Sequence, residues 1–357
     1  MSKKKILITS GGTGGHIFPA IALGSKLKKS GFEVFYSFDA RSASYVDLKA
    51  ENTFVLNITN KKGSGLISKL KYLVHVMCAI IEARKIVKQI KPDLVIGFGG
   101  YATFPILFAA PLVSTAKLIL HESNSVIGTV NKFFLSKVAK IAGGLSQIED
   151  IEPRFASKFV YTGTPVREMI EKVIRRKHKN KINLLIFGGS QAAKKFSSII
   201  PPAILKLDDD LKKKLHVIQQ VKPEDIDEIK DLYTRNNISC EINSFFTDID
   251  KKYANANLVI ARSGASTISE LIYLQIPSML IPLPTSAKNH QYKNALFLTE
   301  KRGALLIEEE KLDDKKLSSE IELIIKNQNL YEANLEKLHV DAGKKLVTLV
   351  KDVLAAK

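Results

Sequence analysis

At 357 residues, with 45% hydrophobic and 25% charged residues, the chain is too long for one ordinary core and too apolar for a disordered or fibrous protein, and two α/β domains of roughly 150 to 180 residues each fit it. Its two cysteines, Cys78 and Cys240, stand far apart and outside any CxxC spacing, which excludes a disulfide framework and a cysteine zinc site and suits a reducing compartment. A formal charge of +18 points to an anionic partner, but lysine outnumbers arginine 45 to 9, so much of the charge reads as solvated background.

Lys5–Thr9 is a short apolar run that reads as a strand; the lysines before it resemble a signal-peptide start, but Ile6-Leu7-Ile8 is too short for the apolar core of one. The run ends in Ser10-Gly11-Gly12-Thr13-Gly14-Gly15-His16, and apolar residues then recur at helical spacing through Leu27. Strands follow at 32–38, 93–97 and 117–121, the last two closed by Phe98-Gly99-Gly100-Tyr101 and Glu122-Ser123-Asn124. Residues 94–116 hold no charge over 23 positions, long enough to span a bilayer, but three glycines and two prolines make them strand, glycine loop and buried helix. The strand and glycine loop recur at Ile182–Phe187 with Gly188-Gly189-Ser190-Gln191, and further strands fall at 216–221, 258–261 and 278–281. The domain boundary is placed near Gly163, giving domains 1–163 and 164–337, with the amphipathic segment 338–357 packing back on the first. Strands alternating with helices make two doubly wound parallel sheets whose ligands sit at the carboxyl ends of the strands.

Glycine loops between strand and helix let backbone N–H groups approach a phosphate at a helix start. Gly12 and Gly14 fit GxGxxG but Ile17 breaks it, and no P-loop lysine is present. Asp39, ending the second strand, can serve a ribose hydroxyl, which leaves an NAD enzyme open. A further loop, Arg262-Ser263-Gly264-Ala265-Ser266-Thr267-Ile268-Ser269-Glu270, opens a helix, and Glu270 there can accept two hydrogen bonds from a ribose diol.

These loops, with Gly163-Thr164-Pro165-Val166-Arg167 and His290-Gln291, stand in the order and spacing of the MurG family of peptidoglycan glycosyltransferases, which the chain resembles over almost its whole length. The resemblance implies a GT-B fold, two Rossmann-like domains facing a cleft, and inverting transfer of N-acetylglucosamine from UDP-N-acetylglucosamine to lipid I, giving lipid II. It further implies that Thr13, Gly14, Gly15 and Asn124 contact the donor, that Arg167 and Ser190 hold its diphosphate, and that the backbone near Phe246 reads uracil. Arg262 and Ala265, Ser266, Thr267, Ile268, Ser269 and Glu270 bind nucleotide and sugar, Gln291 the donor sugar, and Tyr101, His121, Glu122 and Asn131 lie near the acceptor. Ala192 and Ser197 depart from the family, which favours glycine and asparagine there; the Cβ of Ala192 narrows the backbone angles of its loop.

Inverting transfer needs a base for the acceptor hydroxyl and a cradle for the departing UDP. His16 is the candidate base, with Glu122 and His121 in reserve. No DxD motif sits at a strand end and Asp208-Asp209-Asp210 reads as a solvated helix start, so neither metal nor cofactor is required. From Lys61 to Lys91 eight lysines and arginines and one acid, Glu82, interleave with apolar residues, a pattern for a helix on the anionic cytoplasmic face of a membrane, though a core-facing helix with a charged back fits it equally. Other cell-wall synthesis proteins are further expected partners. A UDP-N-acetylglucosamine 2-epimerase is the alternative enzyme; a nucleic-acid binder ranks last, since the chain has no tryptophan and no interleaved aromatics.

Overall fold

The computed structural model describes residues 3–58, 65–176 and 180–356, with residues 66, 67 and 189–194 described by backbone alone. The chain forms two compact units, Met1–Arg167 with Val340–Lys357, and Glu168–His339. The change of unit comes at Arg167, four residues past the sequence estimate, because the segment from Gly163 onward still packs on unit 1. A side chain at Gly163 would run into Val340 and Ala342, and the Arg167 guanidinium lies 5.1 Å from the Phe18 ring centre.

Unit 1 runs β1 (Lys5–Thr9), α1 (Gly14–Lys29), β2 (Glu33–Asp39), β3 (Thr53–Leu56), α2 (Leu66–Ile90), β4 (Leu94–Gly97), α3 (Phe104–Val113), β5 (Lys117–Glu122), α4 (Thr129–Phe134), β6 (Lys140–Gly143) and β7 (Phe159–Tyr161). Its seven strands pair in the order β3-β2-β1-β4-β5-β6-β7, all parallel. Strand side chains alternate between two cores, as the period of two demands: Leu7 and Val95 join the α2 and α3 side, Ile6, Ile8, Leu94 and Ile96 the α1 side. The uncharged stretch 94–116 is β4, its glycine loop and the ten-residue α3. Among the described residues no helix is long and apolar enough to cross a membrane.

Unit 2 runs α5 (Glu168–Glu171), β8 (Ile182–Phe187), α6 (Gly189–Leu205), α7 (Asp209–Lys214), β9 (Leu215–Gln220), α8 (Ile226–Arg235), β10 (Ser239–Asn243), α9 (Ile249–Asn255), β11 (Leu258–Ala261), α10 (Ala265–Leu274), β12 (Ser278–Leu280), α11 (His290–Glu300), β13 (Ala304–Leu306), α12 (Asp314–Lys326) and α13 (Gln328–Leu338). The strand order is β10-β9-β8-β11-β12-β13, again all parallel. Asp208 caps α7, its Oδ1 accepting from the Asp210 N–H at 2.9 Å, while Asp209 and Asp210 stand exposed. The chain ends in α14 (Ala342–Ala355), whose Leu346, Leu349, Val350 and Val353 recur at helical spacing and complete the α1 core of unit 1.

In each sheet the strand order reverses beside the first strand, between β1 and β4 and between β8 and β11. A parallel sheet opens a crevice at such a reversal, outside the carboxyl ends of its strands. The loops after β1, β4 and β8 are glycine-rich, and the loop after β11 holds Gly264.

Candidate active site

On unit 1, β1 ends in the loop that opens α1. Thr13 occupies the N-cap, but its side chain makes no cap hydrogen bond and no acid lies in the first turn, so the amides around Gly14 and Gly15 face outward beside a partial positive charge. The loop after β4 packs directly on this one. Gly99 and Gly100 both have positive φ, +86° and +82°; a Cβ at Gly99 would stand 3.2 Å from the His16 ring, and one at Gly100 would strike the Gly11 carbonyl. Glycine here lets two backbones touch and seats the half-buried His16 against the second loop.

The end of β5 supplies a second cluster. Glu122 is 2% exposed and its two oxygens accept four hydrogen bonds: Oε1 from Asn124 N and Nδ2, each at 3.1 Å, Oε2 from Gly128 N at 2.8 Å and Asn131 Nδ2 at 2.9 Å. Asn131 also donates to the His121 carbonyl at 3.1 Å. His121 is fully buried, with Nε2 3.1 Å from the Gly163 carbonyl and Nδ1 3.3 Å from Ser123 Oγ, and its ring stacks on Phe98. Burial pushes its pKa down to about 4; the Gly163 carbonyl opposes the shift and the charge of His16 adds to it. His121 is thus a neutral strut, and Glu122 a carboxylate occupied by its own loop.

A third group centres on Asp39, which the sequence offered as a ribose ligand. Asp39, fully buried at the end of β2, accepts from Ser42 Oγ at 2.8 Å, Arg41 Nε at 3.0 Å, the Gly12 N–H at 3.4 Å and, in a short bond, the Tyr101 hydroxyl. Burial opposes ionisation, but these donors prevail and hold the Asp39 pKa below its ordinary value; the same burial, with the Asp39 charge, pushes the Tyr101 pKa up. Asp39 is therefore a tie between three loops, not a free ribose ligand. The strand-end acid was visible in the sequence, but Ser42 and Arg41 lie in a short 3₁₀ turn with no local signature.

On unit 2, α6 and α10 start at Gly188 and Gly264 with no side-chain cap, and no acid is present in either first turn. Ser190 lies in the first turn of α6; its side chain and that of Ala192 are outside the described residues. Ala265 and Ser269 are buried, Ile268 is core, and Ser266 and Thr267 are half-buried, with Ser266 Oγ enclosed without a partner among the described residues. Glu270 is 5% exposed and its Oε2 accepts from the Tyr253 hydroxyl at 3.1 Å. Arg262 is built into the unit: its guanidinium donates to the carbonyls of Ile281 at 3.0 Å and Pro282 at 2.9 Å and pairs closely with Glu309. That pairing fixes the loop before α10, and Glu309, 47 residues on, had no recognisable pattern. Gln291 accepts at Oε1 from the Leu283 N–H at 3.0 Å, and Ser263 Oγ and Asn294 bind α11 to the same loop. Phe246 is buried, with the Lys252 ammonium 5.8 Å from its ring centre.

Comparison with known proteins adds to this geometry. Residues 6–143 match the glycosyltransferase family 28 N-terminal domain and residues 183–351 the family 28 C-terminal domain. The chain is 39% identical to the UDP-N-acetylglucosamine--N-acetylmuramyl-(pentapeptide) pyrophosphoryl-undecaprenol N-acetylglucosamine transferase of Rickettsia canadensis, with 98% of this chain and all of that protein aligned. The Rickettsia felis enzyme of the same name is also 39% identical, over 94% of each chain. Among solved structures, Acinetobacter baumannii MurG superposes with a TM-score of 0.77 at 25% identity, covering 98% of this chain and 99% of that one. A UDP-GlcNAc 2-epimerase from Neisseria meningitidis gives 0.68 at 15% identity over 97% of this chain and all of the other, a likeness of fold alone.

Proposed function

Because this chain belongs to the MurG family of family 28 glycosyltransferases, we propose how its own residues carry that family's reaction. The protein transfers N-acetylglucosamine from UDP-N-acetylglucosamine to the N-acetylmuramoyl 4-hydroxyl of undecaprenyl-pyrophosphoryl-N-acetylmuramoyl-pentapeptide, converting lipid I to lipid II with inversion.

Unit 2 takes the nucleotide. The open amides of α6 and α10 face the donor diphosphate with Ser190, Ser266 Oγ gains a phosphate oxygen as its partner, and Glu270, braced by Tyr253, accepts from the ribose diol; Arg167, expected from the sequence in the second domain, belongs to unit 1 and packs on Phe18. The loop at Phe246 lies by the base and Gln291 Nε2 reads the sugar. Amide dipoles at these helix starts meet the charge that grows on departing UDP, so no metal is given a role.

Unit 1 takes the acceptor. His16 removes the proton of the attacking hydroxyl as the glycosidic bond forms; it is the half-buried titratable ring at the glycine-loop helix start, whereas Glu122 has all its acceptor positions filled and His121 is buried and neutral. We assign Glu122, Asn131 and His121 to holding the acceptor-side loops, with Tyr101 joined to them through Asp39 and the second glycine loop.

The lipid acceptor requires a membrane contact. On α2 the outward face carries Leu70, Leu73, Val74, Met77 and Ile81, each more than half exposed and spaced as one stripe, while Ala79, Ile80, Ala83, Ile86, Val87 and Ile90 face the core. A helix apolar on both faces and flanked by Lys69, Lys71, Arg84, Lys85 and Lys88 suits the anionic cytoplasmic leaflet better than a plain core helix. Lys61 and Lys62 lie outside the described residues.

The observation that carries the reading is the pair of parallel sheets, each presenting uncapped glycine-loop helix starts at its strand reversal. The test is release of UDP from UDP-N-acetylglucosamine with and without a lipid I analogue, in EDTA and in magnesium. Release that depends on the acceptor and ignores EDTA supports the assignments; release without acceptor, or loss in EDTA, counts against them.

A further inference from the structure

We propose that Gln220, together with Lys252, is a positioning residue that ties the loop reading the donor's base to the loop holding its diphosphate, and so sets the preference for uridine. This deepens the placement of the nucleotide on unit 2 above and rests on it. In the sheet of unit 2, β9 runs between β8, which feeds the Gly188 loop, and β10, which feeds the Phe246 loop. Gln220 is the last residue of β9 and is buried. Its amide reaches sideways in both directions: Oε1 accepts from the Gly188 N–H at 3.3 Å, and Nε2 donates to the Ser244 carbonyl at 3.0 Å. Turned over, the amide would set donor against donor and oxygen against oxygen, so the two loops fix its orientation and it fixes their spacing.

Lys252, on α9, holds the far side of the same loop. Its side chain is 16% exposed, and Nζ reaches both oxygens of Glu241 on β10, at 2.8 and 2.9 Å, and Asp248 Oδ2 at 3.4 Å. It also lies 5.8 Å from the Phe246 ring centre. Burial opposes its charge, but the two carboxylates prevail and push its pKa up. The next residue, Tyr253, braces Glu270, so α9 serves the base loop and the ribose carboxylate together. One amide and one ammonium thus hold the base loop to the phosphate loop and to the strand before it, and neither needs to touch the nucleotide. Uracil and cytosine present opposite donors and acceptors on the edge that a backbone reads. A loop tells them apart only if its own amides and carbonyls stand still at a set distance from the phosphates.

The test is calorimetric binding of UDP, CDP and inorganic pyrophosphate to the full chain as wild type, Gln220→Met, Lys252→Met and Lys252→Arg. Wild type should prefer UDP to CDP. Gln220→Met keeps the length of the side chain and loses both amide contacts. It should bind UDP about 3- to 10-fold more weakly, the worth of a neutral hydrogen bond, and its preference over CDP should shrink by the same factor, with the pyrophosphate Kd within about twofold of wild type. Lys252→Met should show the same pattern, and Lys252→Arg, which keeps the charge, should recover most of the preference. Weakening of UDP, CDP and pyrophosphate alike would mark damage to the whole unit and overturns the inference. If wild type binds UDP and CDP equally, the placement of the base falls and the inference falls with it. If wild type prefers UDP and Gln220→Met and Lys252→Met keep that preference in full, the placement stands and the inference alone falls.

Discussion

Replacing Glu122 by glutamine changes one atom and separates a structural carboxylate from a catalytic one. Each Glu122 oxygen accepts two N–H groups, at 3.1 and 3.1 Å on Oε1 and at 2.8 and 2.9 Å on Oε2. Whichever oxygen becomes NH₂, two donors lose an acceptor and face another donor. Hydrogen bonds to a charged group contribute roughly 1.5 to 3 kcal/mol each, so two lost bonds at the low end cost about 3 kcal/mol. For a unit of this size that lowers the melting temperature by about 6 to 12 °C. With no tryptophan in the chain, urea unfolding is best followed by tyrosine near-ultraviolet circular dichroism, with hydrogen exchange at the Asn124 and Gly128 amides reporting the loop itself. Those two amides should exchange faster in Glu122→Gln, and any loss of rate should appear in acceptor KM with the pH profile unchanged. If stability moves by less than about 0.5 kcal/mol while kcat falls by more than about 100-fold, Glu122 is the base and the loop-holding account is wrong.

Three further outcomes follow from the same geometry. His16→Ala should lower kcat about 10²- to 10⁴-fold and remove the acid limb of the pH–rate profile; a small loss with an unshifted profile would leave His16 only orienting its loop. His121, with its pKa pushed to about 4 by burial, stays neutral in the folded protein while the unfolded chain takes up a proton below about 6.5. Folding stability should therefore be flat above that pH, fall by about 3 kcal/mol in all as the pH drops to about 4, and level off below, and His121→Gln should lose this part of the slope in urea midpoints measured at several pH values. Changing Leu73, Met77 and Ile81 together to serine should weaken binding to vesicles containing anionic lipid by at least about tenfold, and high salt should release wild type; equal binding by both proteins would remove α2 from the membrane contact.

The fold was legible wherever local chemistry repeats. Strand, glycine loop and helix announced β1 with α1 and β8 with α6, because close backbone approach at a helix start demands glycine in a fixed place. The short strands β3, β6, β7, β10 and β13, of three to five residues, carry too few positions for a period to show, and neighbouring strands define them by pairing. Within the site, residues inside a glycine loop were readable and their braces were not. Glu309 holds Arg262 from 47 positions away, Tyr253 holds Glu270 from 17, and Tyr101 reaches Asp39 across 62. Such pairs are made by the order of strands in the sheet, and no local pattern can announce them.

The helices α7, α12 and α14 begin at Asp208, Asp313 and Asp341, each carboxylate accepting backbone amides of its own first turn. A cap of this kind contributes about 1 kcal/mol. At α1, α6 and α10, as at α2, α3, α4, α8, α9, α11 and α13, no side chain caps the start; Thr13 makes no cap bond and glycine stands at the α6 and α10 starts. An acid at the α1, α6 or α10 start would satisfy the amides internally and repel a phosphate, so the same substitution that stabilises an ordinary helix should cost this enzyme its substrate. Gly264→Asp puts that to the test: the Cβ meets no atom within 4 Å and φ is −64°, so the fold tolerates the side chain and stability should hold or rise slightly. The carboxylate would then compete for the first amides of α10, and KM for UDP-N-acetylglucosamine should rise at least about tenfold, the loss of one charge-assisted contact. An unchanged donor KM in a folded Gly264→Asp protein would mean that the open amides of α10 do not bind the nucleotide.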